Sequence, residues 1–465
     1  MELGNQLPVQ TTTLKILLII TLLMTVSLPA LANLNKNDPW GIAMGLRIAR
    51  IPYPASDEDV ADVIPLFFYD NKYVFLRGLT GGIKLYNKDE WQFSIIGRYR
   101  YFDIPADYQN QIRGNGLDLG LQGKYRYSEE LQSNLELLSD DEGRVHANID
   151  ARYAWDRGSW ELLPFARLRW KSAEFNNRYY GLDGFDDPNN PGTTFNNQIG
   201  DGWDLSLGTE ARYHVISNLY LVGRAKVTTL LDSSTRDSIS IDRETFGEAY
   251  LGLAFFDDKT KARKPSLDAK PYWRFAYGWA TPSNMGDILL RWDVEDDPQN
   301  NEMVSVFYGH PVADSLFSVE SLDVYITPGF VYHRAADPYT DPNSGITYDS
   351  QPTTEYVLAF KLYWNLKWPF QWRLGGAEGV SYAKDITNLE QRSMDEKGYR
   401  ASNLMNYLDV SIDLNVGDLF KAGSMRNLWF GYSLHHRSSI FETSSAFGRI
   451  SGGSNYNTLY LQYHW

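Results

Sequence analysis

The sequence predicts an all-β protein built as a transmembrane antiparallel β-barrel. Apolar and polar residues alternate along most of the chain, the polar side of the alternation carries many charges, and aromatic residues stand at the ends of the alternating segments. Aromatic residues form 14% of the chain, with 14 Trp and 31 Tyr, and these two side chains favour a boundary between apolar and aqueous phases. A soluble β-sandwich also alternates and is the competing interpretation.

Composition excludes several other classes of protein. The formal net charge is −14, which argues against nucleic-acid binding because phosphate recognition needs a basic surface. The chain has no cysteine, so disulfides, thiolate zinc sites and cysteine nucleophiles are excluded. The histidines make no metal-ligand spacing, and no glycine-rich phosphate loop opens a helix. We therefore expect neither a metal nor another cofactor.

Residues 1–32 have the layout of a secretory signal peptide. Lys15 precedes an apolar run at residues 16–26, and Ala30 and Ala32 form a small-residue cleavage site. The run is too short for a comfortable transmembrane helix, and an uncleaved N-terminal anchor is the alternative. Together with the alternating segments, the signal peptide predicts a location in the cell outer membrane.

Residues 144–156 show the alternation most fully. Val145, Ile149 and Tyr153 share an apolar face, whereas His146 and Asp150 lie on a strongly polar one. The same alternation occurs in residues 91–101, 117–127, 205–213, 219–227, 356–364 and 407–415. The last residues, 459–465, alternate as well, and a closing strand that ends in an aromatic residue resembles the terminal signal read by the barrel-assembly machinery.

The connections between the alternating segments are unequal in length. Tight turns join some of them, whereas residues 183–197, 293–302 and 337–353 form long polar loops. Outer-membrane barrels have short periplasmic turns and long extracellular loops. We therefore expect the long loops outside the cell and both chain ends on the periplasmic side. Residues 384–405 are expected to form a helix or a long lid.

A basic, nearly apolar-free stretch at residues 258–270 divides the chain. The preceding segment, which ends at Phe255 and Phe256, has the pattern of a barrel-closing strand in mid-chain. We therefore predict a first module at 33–257, a linker at 258–270 and a second module at 271–465, each a small barrel of about eight to ten strands. The alternative is one barrel of about 16–18 strands.

The first module resembles a known family of outer-membrane proteins. Residues 113–118, 144–156 and 176–181, the last containing Tyr179-Tyr180-Gly181, resemble the MipA/OmpV family. The resemblance covers about residues 40–257. It implies a scaffold or adaptor for murein hydrolases and synthases, set among outer-membrane lipid and lipopolysaccharide, and it brings no catalytic residues.

The end of the second module resembles another family. Residues 431–439 and 452–455, followed by the final strand, resemble the outer-membrane lipid A deacylases of the PagL type. The resemblance implies a serine esterase in which His436 and Ser438 form the His-x-Ser pair. The acid of that family has no clear counterpart, because Glu442 is the nearby carboxylate and Asn455 stands near the expected place. The candidate catalytic residues are therefore His436, Ser438 and Glu442.

The chemistry of an esterase fits the spacing of this pair. A serine nucleophile needs a histidine to take its proton, and residues two apart on a strand share one face. The parity of residues 428–434 places His436 and Ser438 outward at the membrane rim and His435 toward the lumen. Two interfacial polar residues without catalytic function are the alternative reading of the same pattern.

Three functions therefore remain open from the sequence. The first is a non-enzymatic outer-membrane scaffold for cell-wall enzymes, and the second is a lipid A ester hydrolase acting through the C-terminal His-x-Ser pair. The third is a passive pore, which the charged inner face would allow if the chain formed one wide barrel.

Overall fold

The chain folds into two closed antiparallel β-barrels in tandem. The computed structural model describes residues 40–54, 59–101, 103–105, 108, 115–186, 192–257, 267–316, 319, 321–342, 344–439 and 453–465. The predicted signal peptide, residues 258–266 of the predicted linker and Glu442 lie outside the described residues.

The wall of the first barrel is twelve strands wide, because two of its thirteen strands, β8 and β9, lie in line. Both β8 and β9 pair with β10. The barrel closes where β13 pairs with β1. Its strands are β1 Gly41–Arg50, β2 Asp59–Asp70, β3 Val74–Gly78, β4 Thr80–Lys88, β5 Trp91–Tyr101, β6 Asn115–Arg126, β7 Leu131–Ser139, β8 Val145–Tyr153, β9 Trp155–Arg157, β10 Trp160–Lys171, β11 Gly202–Ile216, β12 Leu219–Leu230 and β13 Thr245–Phe256.

The second barrel has eight strands and closes where the last strand pairs with its first. A small hairpin of β17 Tyr339–Thr340 and β18 Thr347–Tyr348 stands apart from the barrel wall. The wall consists of β14 Tyr272–Thr281, β15 Glu302–Asp314, β16 Leu322–His333, β19 Thr353–Leu366, β20 Trp372–Ala383, β21 Leu404–Asn415, β22 Leu428–Ser438 and β23 Gly453–His464.

The prediction of two small barrels in tandem is confirmed, and a single barrel of about 16–18 strands is not what forms. The second barrel falls within the predicted range of strand number, whereas the first is larger. One reason is the β3–β4 hairpin, which turns after only five residues of β3. A strand this short contains too few positions to display a clear alternation in the sequence.

Both barrels have a turn end, where most of the shorter connections join the strands and where Trp40 and Trp465 lie, and a loop end opposite it, where most of the longer ones lie. None of the described helices is long and apolar enough to cross a bilayer. At the loop ends lie α1 Ala173–Tyr179, α2 Ser233–Arg236, α3 Met285–Arg291 and α4 Asn388–Asp395; α5 Val416–Leu419 and a 3₁₀ turn at Gly423–Met425 lie at a turn end. α4 falls within the segment predicted to form a helix or lid.

The outer surfaces are apolar between two rims of aromatic residues. Leu121, Leu135 and Ile149 are exposed on the first barrel, and Phe275 and Leu461 are exposed on the second. This arrangement matches the apolar band and interfacial girdles of a membrane-spanning barrel. Exposed rim aromatics include Trp91, Tyr127 and Trp160 at the turn end of the first barrel, Trp203 at its loop end, Trp273, Trp364 and Trp465 at the turn end of the second, and Trp279 at its loop end.

The two barrels contact each other through outward-facing apolar residues. Met44, Val63 and Phe255 of the first barrel belong to one buried cluster with Ile326 and Phe360 of the second. These residues would otherwise lie on the lipid-facing surface, so the cluster joins the two barrels side by side.

Three acidic residues organise the lumen of the second barrel, one above another. Nearest the loop end, Glu355 lies 2.8 Å from His333 Nε2 and 3.1 Å from His435 Nε2. The other two carboxylates lie nearer the turn end and bind basic side chains. Asp409 binds Arg274 at 2.7 Å and also Lys361, and Asp413 binds Arg373 at 2.6 Å and also Tyr460.

These charged side chains are between 0% and 4% exposed. An eight-stranded barrel has an interior that side chains just fill. The second barrel therefore has a packed polar core in the place of a channel.

We predict that Asp409→Asn destabilises the protein by about 3–5 kcal/mol, because it leaves two buried basic groups without their carboxylate. The midpoint of urea unfolding in detergent micelles, followed by tryptophan fluorescence, measures the loss. Asp287→Asn is the matched control, since the pair of Asp287 with Arg291 is exposed (36% and 76%) and exposed pairs contribute about 0–1 kcal/mol. Equal midpoints for the two variants would contradict the importance of the buried pair.

Candidate functional sites in the two barrels

A plug of apolar side chains closes the loop end of the first barrel. It forms around α1, where Ser172 caps the helix by accepting from the backbone N–H of Phe175 at 3.3 Å. Loops from neighbouring hairpins and two strand ends add the other members. The buried residues of the plug are Ile51, Tyr53, Val60, Ile104, Tyr108, Phe175, Tyr179, Tyr180, Leu182, Phe185, Leu230 and Ile241.

Hydrogen bonds between loops hold the plug together. Tyr53 donates its hydroxyl to the carbonyl of Tyr179 at 2.6 Å, and Ser240 donates to the carbonyl of Tyr180 at 2.6 Å. Gly181 follows, where a Cβ would lie 2.6 Å from the carbonyl oxygen of Asn177. A larger residue would therefore have to displace the backbone. The Tyr-Tyr-Gly sequence that carried the family resemblance thus forms part of the plug.

A chain of polar contacts runs from the plug into the lumen. The Tyr179 hydroxyl donates to Asp140 at 2.9 Å and accepts from Arg100 at 2.9 Å. Arg100 also donates to Asp118, which His146 Nε2 approaches at 3.1 Å. These contacts fix the depth and orientation of α1 over the barrel.

The electrostatics of Asp140 depend on Arg144. Burial raises the pKa of this carboxyl group, but hydrogen bonds from the side chain and backbone of Arg144, at 2.6 and 2.9 Å, outweigh that effect. The pKa of Asp140 is therefore held below its usual value. The ionised form of Asp140 stabilises the plug.

The second candidate site lies on the outer face of the second barrel near its loop end. His436 and Ser438 point outward from β22, and His435 is fully buried in the lumen. His436 and Ser438 lie two residues apart on one face, but among the described residues no hydrogen bond joins their side chains.

Asn455 on β23 is the group that contacts His436. Its Oδ1 lies 2.5 Å from His436 Nδ1, and its Nδ2 donates to the carbonyl of Ser283 at 2.8 Å. Because the amide nitrogen is engaged as a donor, Oδ1 is the acceptor and the proton sits on Nδ1 of His436. The lone pair of Nε2 is then available for a hydroxyl proton.

Of the predicted catalytic residues, the structure describes His436 and Ser438 but not Glu442. The contact that orients the His436 imidazole comes from the amide of Asn455, whereas the sequence suggested the carboxylate of Glu442 for this role. The sequence showed only that Asn455 stood near the expected place, since the register that sets His436 opposite Asn455 is a property of the folded β22–β23 pair. Among the described residues, no cluster of His, Asp and Glu has the arrangement of a metal site.

Two closed barrels with apolar, aromatic-rimmed outer faces and charged interiors define an outer-membrane β-barrel protein, and the protein resides in the outer membrane. Residues 42–256, which make up the first barrel, match the family model of MltA-interacting protein MipA. The predicted resemblance of the first module is therefore confirmed. No curated protein matches the chain, and the PagL-type resemblance of the second barrel stays a prediction.

The chain is also similar to solved outer-membrane structures. A bacterial polysaccharide outer membrane secretin shares 11% identity over 93% of this chain and 100% of that chain, with a TM-score of 0.24. OccK11 (OpdR) of Pseudomonas aeruginosa shares 10% identity over 92% of this chain and 95% of that chain, with a TM-score of 0.23. OmpT of Vibrio cholerae shares 9% identity over 92% of this chain and 97% of that chain, with a TM-score of 0.24. Similarity at this level carries no argument about function.

We predict that the plug loosens in acid through Asp140. A carboxyl group with a lowered pKa in the folded state contributes stability above its unfolded pKa, and this contribution is lost as the pH falls through the folded value. Hydrogen exchange of residues 173–185, corrected for its intrinsic pH dependence, should therefore accelerate below about pH 4. Asp140→Asn should already exchange about tenfold faster at pH 6, since a hydrogen bond to a charged group contributes about 1.5 kcal/mol or more.

Glu142→Gln is the matched control for this measurement, because the side chain of Glu142 is 65% exposed. Its exchange profile should follow that of the unmodified protein. Identical pH profiles for Asp140→Asn and the unmodified protein would remove Asp140 as the group responsible.

Proposed function

We propose that the protein is an outer-membrane scaffold that binds murein-processing enzymes on its periplasmic side. The observation that carries this proposal is the match of the whole first barrel to a family described by its interaction with MltA. A binding role needs no catalytic groups, and the closed loop end leaves the turn end as the open face of this barrel. Orientation follows from loop length, since short turns face the periplasm in barrels of this kind.

The architecture favours a scaffold over a passive pore. The second barrel is filled by buried ion pairs, and the first is capped by the plug. Water that enters the first barrel from the turn end therefore meets an apolar barrier before the loop end. A conducting path along either described lumen would require these groups to move.

We expect the purified full-length protein in detergent micelles to retain purified MltA, the partner named in the family description, more strongly than an unrelated barrel does. Glu130→Lys should weaken retention, because it reverses an exposed charge in the β6–β7 turn, on the proposed binding face. Glu142→Lys, at the loop end of the same barrel, makes the same charge change on the opposite side and should leave retention unchanged. Surface plasmon resonance measures both.

Two results would count against the scaffold. One is retention of MltA no greater than that of the unrelated barrel. The other is an equal loss of MltA retention in the Glu130→Lys and Glu142→Lys variants, which would indicate a nonspecific effect of charge. An epitope tag in residues 337–353 provides the control for orientation: it should be labelled on intact cells, and labelling only after lysis would contradict the assignment of the turn end to the periplasm.

A lipid A ester hydrolase is the second candidate function, and the His436–Asn455 contact is the observation that favours it. We propose Ser438 as the nucleophile, His436 as the general base and Asn455 as the residue that fixes the imidazole tautomer. An amide fills the same role in some nucleophile–histidine triads. The outward position at the membrane rim would let a lipid ester reach the pair from the bilayer.

For this activity, Ser438→Ala and His436→Ala should each reduce ester cleavage by about three orders of magnitude or more, since a nucleophile and its base act as a unit. Asn455→Ala should reduce it less, because it disturbs only the orientation of His436. Mass spectrometry of lipid A from cells expressing each variant measures the loss of an acyl chain.

His310→Ala is the matched control, because His310 is exposed on the outward face of β15 toward the turn end, far from Ser438. His435→Ala is a poor control, since His435 is fully buried against Glu355 and its loss would disturb folding. Lipid A left intact by the unmodified protein would rule out the hydrolase.

A further inference from the structure

The lumen of the first barrel opens as a crater toward the turn end. Near the loop end, beneath the plug, Lys171 and Asp204 are 0% and 2% exposed. Toward the turn end, Arg152 is 24% exposed, and Arg224 and Glu210 are each 32% exposed. A twelve-stranded wall is wider than the eight-stranded one that side chains just fill. Among the described residues, the solvent-exposed part of the lumen therefore lies toward the turn end.

Most charged groups in the crater wall have a partner within hydrogen-bonding distance. Arg152 donates to Asp150 at 2.9 Å, and Arg98 donates to Glu136 at 2.8 Å. Glu248 accepts from Arg47 at 2.9 Å. The opposite charges within each of these pairs neutralise one another.

Three cations in the crater lack such a partner. Lys124, Arg167 and Arg224 make no hydrogen bond with any other described residue. Arg167 is 3.5 Å from Asp150, which Arg152 already occupies. Arg224 has only long contacts, at 3.9 Å to Glu210 and 3.8 Å to Glu248. The crater thus contains more positive charge than its carboxylates balance.

Phe165 contacts the guanidinium groups of Arg152 and Arg224. Its ring lies 5.6 Å from the guanidinium carbon of Arg152 and 5.5 Å from that of Arg224. The ring crosses Gly208 on the next strand, where a Cβ would come within 2.7 Å of it. A glycine is therefore needed for the ring to reach its place, and the cation–π contacts orient both arginines.

We propose that this crater is a binding site for an oxyanion, a carboxylate or a phosphate, which enters from the turn end. Guanidinium groups bind both anions through paired N–H donors, and such bonds gain strength where water is partly excluded. The cations available to the anion are Arg167, Arg224 and Lys124, which have no described carboxylate within hydrogen-bonding distance. The proposal does not depend on the scaffold function, because it rests on the lumen of the first barrel alone.

Isothermal titration of the full-length protein in a zwitterionic detergent tests this site with two probes, hexaglutamate peptide and inorganic phosphate. We expect at least one to bind, with an affinity that falls as NaCl is raised. Arg224→Gln should weaken binding about tenfold, since a charged hydrogen bond contributes about 1.5 kcal/mol or more. Binding of hexaglutamate alone would assign the site to a carboxylate-bearing chain, and binding of phosphate alone to a phosphate group.

Arg157→Gln is the matched control, because Arg157 lies on the outer side of the wall at the turn end, over the ring of Trp155. It removes the same charge outside the crater and should leave binding unchanged. Heat-modifiable gel migration checks that each variant is folded, and Lys124→Gln gives a second reading if Arg224→Gln does not fold. Binding of neither probe, or an equal loss with Arg157→Gln, would overturn the proposal.

Discussion

Closure of each sheet into a ring is the constraint on which the rest of this structure depends. Within a bilayer, backbone N–H and C=O groups must find partners in the protein itself, and only a closed sheet leaves no free edge. The pairings of β1 with β13 and of β14 with β23 provide that closure. Closure also sorts the side chains, because every second residue must face lipid and its neighbours must face the lumen.

The number of strands then decides what the lumen contains. Eight strands leave room for one layer of interlocked side chains, and in the second barrel Glu355, Asp409 and Asp413 each gather their partners with almost no exposure to water. Twelve strands enclose a wider space. In the first barrel that space is closed at one end by the apolar plug around α1 and left open as a crater at the other. The same kind of charged lumen strand therefore yields a packed core in the second barrel and a partly exposed charged lumen in the first.

The proposed functions use different surfaces of the two barrels, because the lumen and the lipid-facing surface carry different residues. A scaffold and an anion site draw on the turn end of the first barrel, where lumen cations meet water. A lipid hydrolase would draw on the outer rim of the second barrel, where His436 meets Asn455 across two strands. The barrels touch along a dry apolar cluster that includes Met44 and Phe360. The arrangement allows two unrelated activities to coexist in one chain.

Alternation, the charged polar faces and the aromatic strand ends together predicted the β-barrel class. The basic stretch after Phe256 favoured two barrels over one, and alternation alone predicted the direction of each side chain on β22. A period of two fixes which face a residue occupies whatever its neighbours are, so His435 and His436 could be assigned to opposite faces from the sequence. Only the tertiary structure decided the strand number of the first barrel, the plug around Tyr179, and the contact of His436 with Asn455. Each of these features depends on strand register and on contacts between segments far apart in the chain. Register and long-range contacts leave no periodic signal in the sequence.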